Sequence, residues 1–144
     1  MSRTKKLALV LVAGGSSTRM GGTLPKPFIK LHNKRVIDYS IDVYSMLPEL
    51  EEICVVCASE YRTNFPAAIT FADPGTRRQD SVYNGLQALK SAANLVAIHD
   101  AARPLVNLDT IKKVIEAAAA NGSALAAVPV KSTIKVADEE SRVA

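Results

Sequence analysis

Six apolar residues in succession, Leu7 to Val12, run directly into Ala13-Gly14-Gly15-Ser16-Ser17-Thr18-Arg19-Met20-Gly21-Gly22-Thr23-Leu24-Pro25-Lys26. A short uninterrupted apolar run of this kind reads as a buried strand. Behind it lies a flexible, amide-rich loop with two cations, Arg19 and Lys26. Glycine permits φ > 0 and close approach, so backbone N–H groups in such a loop can converge on phosphate oxygens. A guanidinium and an ammonium then neutralise what the amides leave. The order of these residues predicts a strand that delivers a binding loop for a nucleoside triphosphate.

The two familiar phosphate loops do not fit. No triplet among Gly14, Gly15, Gly21 and Gly22 has the G-x-G-x-x-G spacing of a dinucleotide fingerprint, and no Gly-Lys pair completes a P-loop. Taken alone, the loop is equally compatible with an ordinary βα turn carrying incidental charges. The rest of the chain has to decide.

Its 144 residues suit a single domain, and 48% hydrophobic with 22% charged residues is a soluble globular balance. No apolar run approaches the roughly 20 residues that cross a bilayer. Met-Ser-Arg-Thr-Lys-Lys leads into a strand and not into a signal-peptide core, so a cytoplasmic location is expected, without a membrane partner. The net charge of +4 is spread along the chain, there is no Trp, and Phe occurs three times. Neither a basic groove nor a base-stacking platform for nucleic acid is indicated. Cys54 and Cys57 form a C-x-x-C within an apolar strand pattern, where residues three apart face opposite ways. They are expected to be packed core thiols, not a metal or redox pair.

Further along, Val36, Ile37, Ile41, Tyr44 and Leu47 recur at helical spacing up to Pro48. Ile53–Val56 and Ile69–Ala72 read as strands. A second helix is expected from Asp80 or Ser81 as cap, with Val82, Gly85, Leu86 and Leu89 on its buried face. Leu95–Ile98 is a further strand, ending in His99-Asp100. A third helix is capped by Asn107 or Asp109, buries Ile111, Val114, Ile115 and Ala118, and stops at Asn121-Gly122. Leu125–Val130 reads as a fifth strand. The alternation predicts an α/β fold, a mostly parallel sheet with helices on both faces. Ligands of such sheets bind beyond the carboxyl ends of the strands. That edge collects the glycine loop, the segment 73–81, and His99-Asp100-Ala101-Ala102-Arg103-Pro104.

Ala13-Gly14-Gly15…Arg19-Met20…Pro25-Lys26, then Arg78-Gln79-Asp80-Ser81-Val82, then His99-Asp100-Ala101-Ala102-Arg103-Pro104 resembles the 2-C-methyl-D-erythritol 4-phosphate cytidylyltransferase family. The last segment is the most specific, and the match runs in order from Leu7 to about Lys135. The resemblance implies a Rossmann-like domain and residue roles within it. Arg19 and Lys26 fall where the family places catalytic cations that stabilise the triphosphate and the transition state. Ala13, Gly14 and Gly15 are implied to bind the nucleotide through loop amides, although the family more typically carries alanine at the position of Gly14. Gly75, Thr76 and Ser81 match the positions that read the cytosine, and Ala101 is implied to bind the nucleotide with them. Asp100 matches a residue near the ribose, the acceptor and a magnesium ion. Arg103 and Thr133 match contacts to the acceptor, Thr133 from an arm that reaches into the second subunit of a homodimer. His99 is expected to make a structural hydrogen bond, and Ser81 has the alternative of a simple helix cap.

The implied reaction is attack by a phosphate monoester on the α-phosphorus of CTP, with release of pyrophosphate. Such a nucleophile has a second pKa of about 6, so no general base is required. Alignment and charge stabilisation, with Mg2+, carry phosphoryl transfer of this type. Three alternatives stay open: ribitol 5-phosphate or another polyol phosphate as acceptor, a sugar 1-phosphate nucleotidyltransferase, and a nucleotide-binding fragment without catalysis. The arm is expected to start near residue 131. The family continues beyond it with another strand, more helix and a further substrate-binding lysine, so residues 1–144 read as one domain cut within the arm.

Overall fold

A computed structural model describes residues 5–15 and 24–136. The predicted first strand, β1 (Leu7–Val12), lies at the centre, with its first five residues inaccessible to solvent. After the loop a 3-10 turn, Lys26–Phe28, leads into a small antiparallel hairpin of β2 (Lys30–Leu31) and β3 (Lys34–Arg35). His32 and Asn33 between them have φ of 48° and 64°, the left-handed pair that a tight hairpin turn demands. Neither hairpin strand was expected.

Helix α1 (Val36–Ser45) buries Ile37, Ser40 and Tyr44. It stops before Leu47, which packs in the core from the following turn. Strand β4 (Leu50–Val56) is three residues longer at its start than its apolar part suggests, and β5 (Thr70–Ala72) is short. Helix α2 (Arg78–Ala88) is followed by β6 (Leu95–Asp100), which continues through His99-Asp100. Helix α3 (Leu108–Asn121) is closed at one end by Asn107, whose Oδ1 accepts the Thr110 N–H at 2.8 Å. At its other end Gly122 has φ of 87°, the left-handed cap that glycine alone adopts without strain.

The four main strands are parallel in the order β5-β4-β1-β6. Helices α1 and α3 cover one face, where Ile37, Tyr44, Ile111 and Ile115 meet Leu7, Leu9, Leu11 and Val55. Helix α2 covers the other, where Val82, Ala88 and Leu89 meet Val10, Val12, Cys54 and Val56. This is the Rossmann-like arrangement, with helices on both faces. Each fully buried leucine of β1 stabilises the fold by roughly 1.5–3 kcal/mol relative to exposure. Helix α2 approaches the sheet at Gly85. A methyl group there would lie 2.5 Å from Val10 Cγ1 and 2.8 Å from Val56 Cγ2.

The two thiols are free, buried and on opposite faces of the sheet. Burial pushes the Cys54 thiol up to about 11 and raises that of Cys57 as well.

The structure departs from three of the expectations. Helix α2 is capped by Arg77, not by Asp80 or Ser81, and Leu86 faces outward while Ala88 packs inward. Leu125–Val130 is not a strand; it pairs with no described strand, and Leu125, Val128 and Val130 are exposed. Alternating apolar residues favour a strand only where a neighbour offers its backbone, and no described strand lies alongside these.

Candidate functional site

From β1 the chain winds outward to β4 and β5 and then crosses back to β6 on the other side of β1, and the crevice of such a switch in strand order lies at the carboxyl edge. A cleft of about 490 Å³ opens there. Three loops and one turn form it.

The first loop leaves β1. Ala13 is buried and its N–H donates to the Val56 carbonyl at 2.9 Å, which extends the β1–β4 ladder by one step. Gly14 and Gly15 then line the cleft. A methyl group on Gly14 would sit 2.4 Å from Pro74 Cβ, whereas one on Gly15 would meet nothing within 4 Å. The Pro74 ring thus packs against the bare backbone of Gly14. Arg19 lies outside the described residues.

Lys26 also lines the cleft, at the start of its 3-10 turn. Phe28, two residues on, is buried and stacks on Tyr61 with ring centroids 4.6 Å apart and planes at 12°. The aromatic pair anchors the turn that presents the ammonium.

The second loop joins β5 to α2. Asp73 pairs with Arg62, and its carbonyl accepts from Asn84 Nδ2 at 3.0 Å. The Gly75 N–H donates to Ser81 Oγ at 2.9 Å. Ser81 is buried in the first turn of α2, so it straps the loop to the helix. A methyl group on Gly75 would lie 2.3 Å from Asp80 Cβ. The same Asp80 accepts the Arg77 N–H at 3.0 Å and both Nε and Nη2 of the guanidinium at 3.1 and 2.9 Å. Those bonds hold its carboxyl below the usual carboxylate range. Thr76 lines the cleft beside Gly75.

The third loop follows β6. Asp100 pairs in register with Val12, and its Oδ1 accepts the Ala102 N–H at 3.1 Å. Its Oδ2 faces Arg78 Nη1 at 3.7 Å and Arg103 Nε at 3.6 Å. Ala101 is fully buried and its N–H donates to the Val12 carbonyl at 3.1 Å, so its methyl belongs to the core and not to the cleft wall. Arg103 projects into a neighbouring groove of about 1060 Å³ that runs along β6 and α3. The cleft and the groove share Arg78 and Asp100.

Sequence reading therefore places Ala13, Gly14, Gly15, Lys26, Gly75, Thr76, Ser81 and Asp100 around one cavity, with Arg103 next to it. Thr133 is apart from them, on the exposed extension 123–136. Arg77 and Arg78 escaped assignment although both line the cleft. Their position at the start of a helix beside a glycine loop was the available signal.

Among the described lining residues, three cations, Lys26, Arg77 and Arg78, face one carboxylate, Asp100. No described group of three or more acidic, histidine or cysteine side chains could hold a metal unaided. A magnesium ion that brings phosphate oxygens with it needs only one or two protein carboxylates, and Asp100 fits that part. No described helix is long and apolar enough to cross a membrane.

A parallel α/β sheet with a cation-walled, glycine-looped cleft at its switch point places the chain in the Rossmann-like class. The model of the 2-C-methyl-D-erythritol 4-phosphate cytidylyltransferase family matches residues 7–144. The chain belongs to that family. A chloroplastic 2-C-methyl-D-erythritol 4-phosphate cytidylyltransferase from rice is 41% identical, aligned over 98% of this chain and 50% of its own length. The enzyme of that name from Chlamydia pneumoniae is 39% identical over 90% of this chain and 61% of its own. Among solved structures, 4-diphosphocytidyl-2C-methyl-D-erythritol synthase from Anaerococcus prevotii superposes with a TM-score of 0.79 at 26% identity, covering 97% of this chain and 62% of that one. The cytidylyltransferase from Thermus thermophilus gives 0.70 at 26% identity, with 97% and 63% covered. The chain thus spans about half the length of the rice relative and three-fifths of the others.

Proposed function

We infer that this chain holds the nucleotide in a cytidylyltransferase that transfers CMP from CTP to 2-C-methyl-D-erythritol 4-phosphate, with release of pyrophosphate, in isoprenoid precursor biosynthesis. The observation that carries this reading is the convergence of the β1, β5–α2 and β6 loops, with Lys26, on one cleft at the β1/β6 switch point.

In this reading the Gly14–Gly15 backbone, Arg19 and Lys26 embrace the triphosphate, and the cations stabilise the charge that grows on the leaving pyrophosphate. Gly75 and Thr76 face the cytosine, with Ser81 bracing Gly75 from behind. Asp100 would hold the magnesium ion, which when bound draws charge from the phosphate oxygens. Arg103 takes the acceptor phosphate in the groove, and the acceptor meets the nucleotide where groove and cleft share Arg78 and Asp100. A phosphate monoester is largely dianionic at neutral pH, with a second pKa of about 6, so it attacks without a general base. The protein contributes alignment and charge.

Val128, Val130, Ile134 and Val136 stand out into solvent around Thr133. That pattern supports an arm buried in a homodimer. Two phosphorylated, membrane-impermeant substrates fit a cytoplasmic location.

Pyrophosphate release by the whole protein, measured with CTP and Mg2+ against 2-C-methyl-D-erythritol 4-phosphate and ribitol 5-phosphate in parallel, tests the reading. Turnover with the first acceptor alone is expected. Turnover with ribitol 5-phosphate instead, or binding of CTP with no release, overturns it.

A further inference from the structure

Ser40 on α1 is 0% exposed, and nothing in its own helix marks it as functional. A hydroxyl so placed is costly unless it is hydrogen-bonded. Its Oγ lies 3.1 Å from His99 Nε2 and 3.3 Å from the carbonyl oxygen of Arg103. His99 Nε2 is 3.2 Å from that same carbonyl. One assignment satisfies all three contacts. Nε2 carries the proton and donates it between Ser40 Oγ and the Arg103 carbonyl, while the Ser40 hydroxyl also donates to that carbonyl. The Tyr44 ring, 5.4 Å from the imidazole and tilted by 56°, closes another side.

The acceptor of both donors is the last residue of the Asp100–Arg103 turn. The turn's first residue is secured separately: Asp100 lies in register with Val12, and the adjoining Ala101 N–H donates to the Val12 carbonyl. The sheet thus holds Asp100, and the Ser40–His99 pair holds Arg103.

We propose that Ser40 and His99 are positioning residues that fix the backbone of Arg103 and so aim its guanidinium at the acceptor phosphate. This rests on the reading of Arg103 as the acceptor contact. A misplacement of about 1 Å at such a contact is enough to weaken it strongly. Because the two donors act on the Arg103 end of the turn, their loss reaches the acceptor before it reaches the nucleotide.

The test is steady-state pyrophosphate release by the whole protein with Ser40→Ala, His99→Leu and His99→Gln, varying CTP and 2-C-methyl-D-erythritol 4-phosphate in turn. Loss of one such hydrogen bond is expected to raise KM for the acceptor about five- to tenfold in Ser40→Ala and His99→Leu, with KM for CTP within about twofold. The His99→Gln amide can donate to the same carbonyl and is expected to restore the acceptor KM. An unchanged acceptor KM, or an equal rise in both KM values without rescue by glutamine, overturns the proposal. Amide hydrogen exchange supplies an independent readout. Ser40→Ala should speed exchange at Arg103 and spare Ala101, and equal rates at Arg103 in variant and parent overturn the positioning role. If the unaltered protein releases no pyrophosphate, the functional reading fails, and exchange at Arg103 still decides whether Ser40 holds the turn.

Discussion

The Ser81 hydroxyl accepts the Gly75 N–H at 2.9 Å, tying the first turn of α2 to the loop before it. Ser81 is buried, and its only other described partner is the Arg77 carbonyl at a long 3.4 Å. Removing the hydroxyl leaves a backbone donor unpaired at the cleft wall. Ser81→Ala is expected to weaken CTP binding about five- to tenfold, the effect of roughly 1 kcal/mol. Isothermal titration calorimetry with CTP reads the change, and an unaltered affinity would show that the strap does not hold the nucleotide loop.

Lys26 and Phe28 share one 3-10 turn but do different work. Lys26→Ala removes a cation from a cleft wall, and turnover is expected to fall by about 10²–10³ with little change in melting temperature. Phe28→Ala removes the ring stacked on Tyr61, and a loss of about 3–5 kcal/mol in stability is expected. Kinetics and thermal melts on the two variants should separate in this way. An active Lys26→Ala enzyme would remove the lysine from the catalytic set.

Gly85 sits where α2 touches Val10 and Val56. Alanine favours helix over glycine by about 1 kcal/mol, but forcing a methyl into a filled contact costs about 1–3 kcal/mol. Overpacking wins here, because the added carbon would lie 2.5 Å from Val10 Cγ1. Urea denaturation of Gly85→Ala should show a destabilised protein, and Val10→Ala in the same chain should recover part of the loss.

Glu52 ties the end of α2 to the sheet edge. Its Oε2 accepts the Lys90 and Ser91 N–H groups at 2.9 and 2.8 Å, and its Oε1 accepts from Thr70 Oγ1 at 2.8 Å. Burial works to raise its pKa, but these donors prevail and hold it below the ordinary value of 4.5. The unfolded chain therefore binds this proton more readily than the folded one. The contribution is complete above the unfolded pKa and is lost as pH falls through the folded one. Glu52→Gln should melt with a shallower dependence on pH in that acid range than the parent.

The centre of the sheet was legible because its signals are local. Leu7–Val12 is too short an apolar run for an ordinary helix and so reads as a buried strand, and Asn107 and Gly122 mark both ends of α3 by their own chemistry. The opposite faces of Cys54 and Cys57 followed from the strand period. Reading failed where a residue's role depends on distant chain. Asp80 has the chemistry of a cap, yet it acts from inside the helix by reaching back to Arg77. Leu125–Val130 has strand-forming residues without a strand to pair with. Ser40 meets His99 across 59 positions, and no spacing rule discloses such a contact.

The contact between Gly14 and Pro74 leaves no slack between the loop after β1 and the loop before α2. The two behave as one jaw whose gauge is set by a missing methyl group. Displacing either rim drags the other, so in the proposed reading base and triphosphate would be measured together, as a single length.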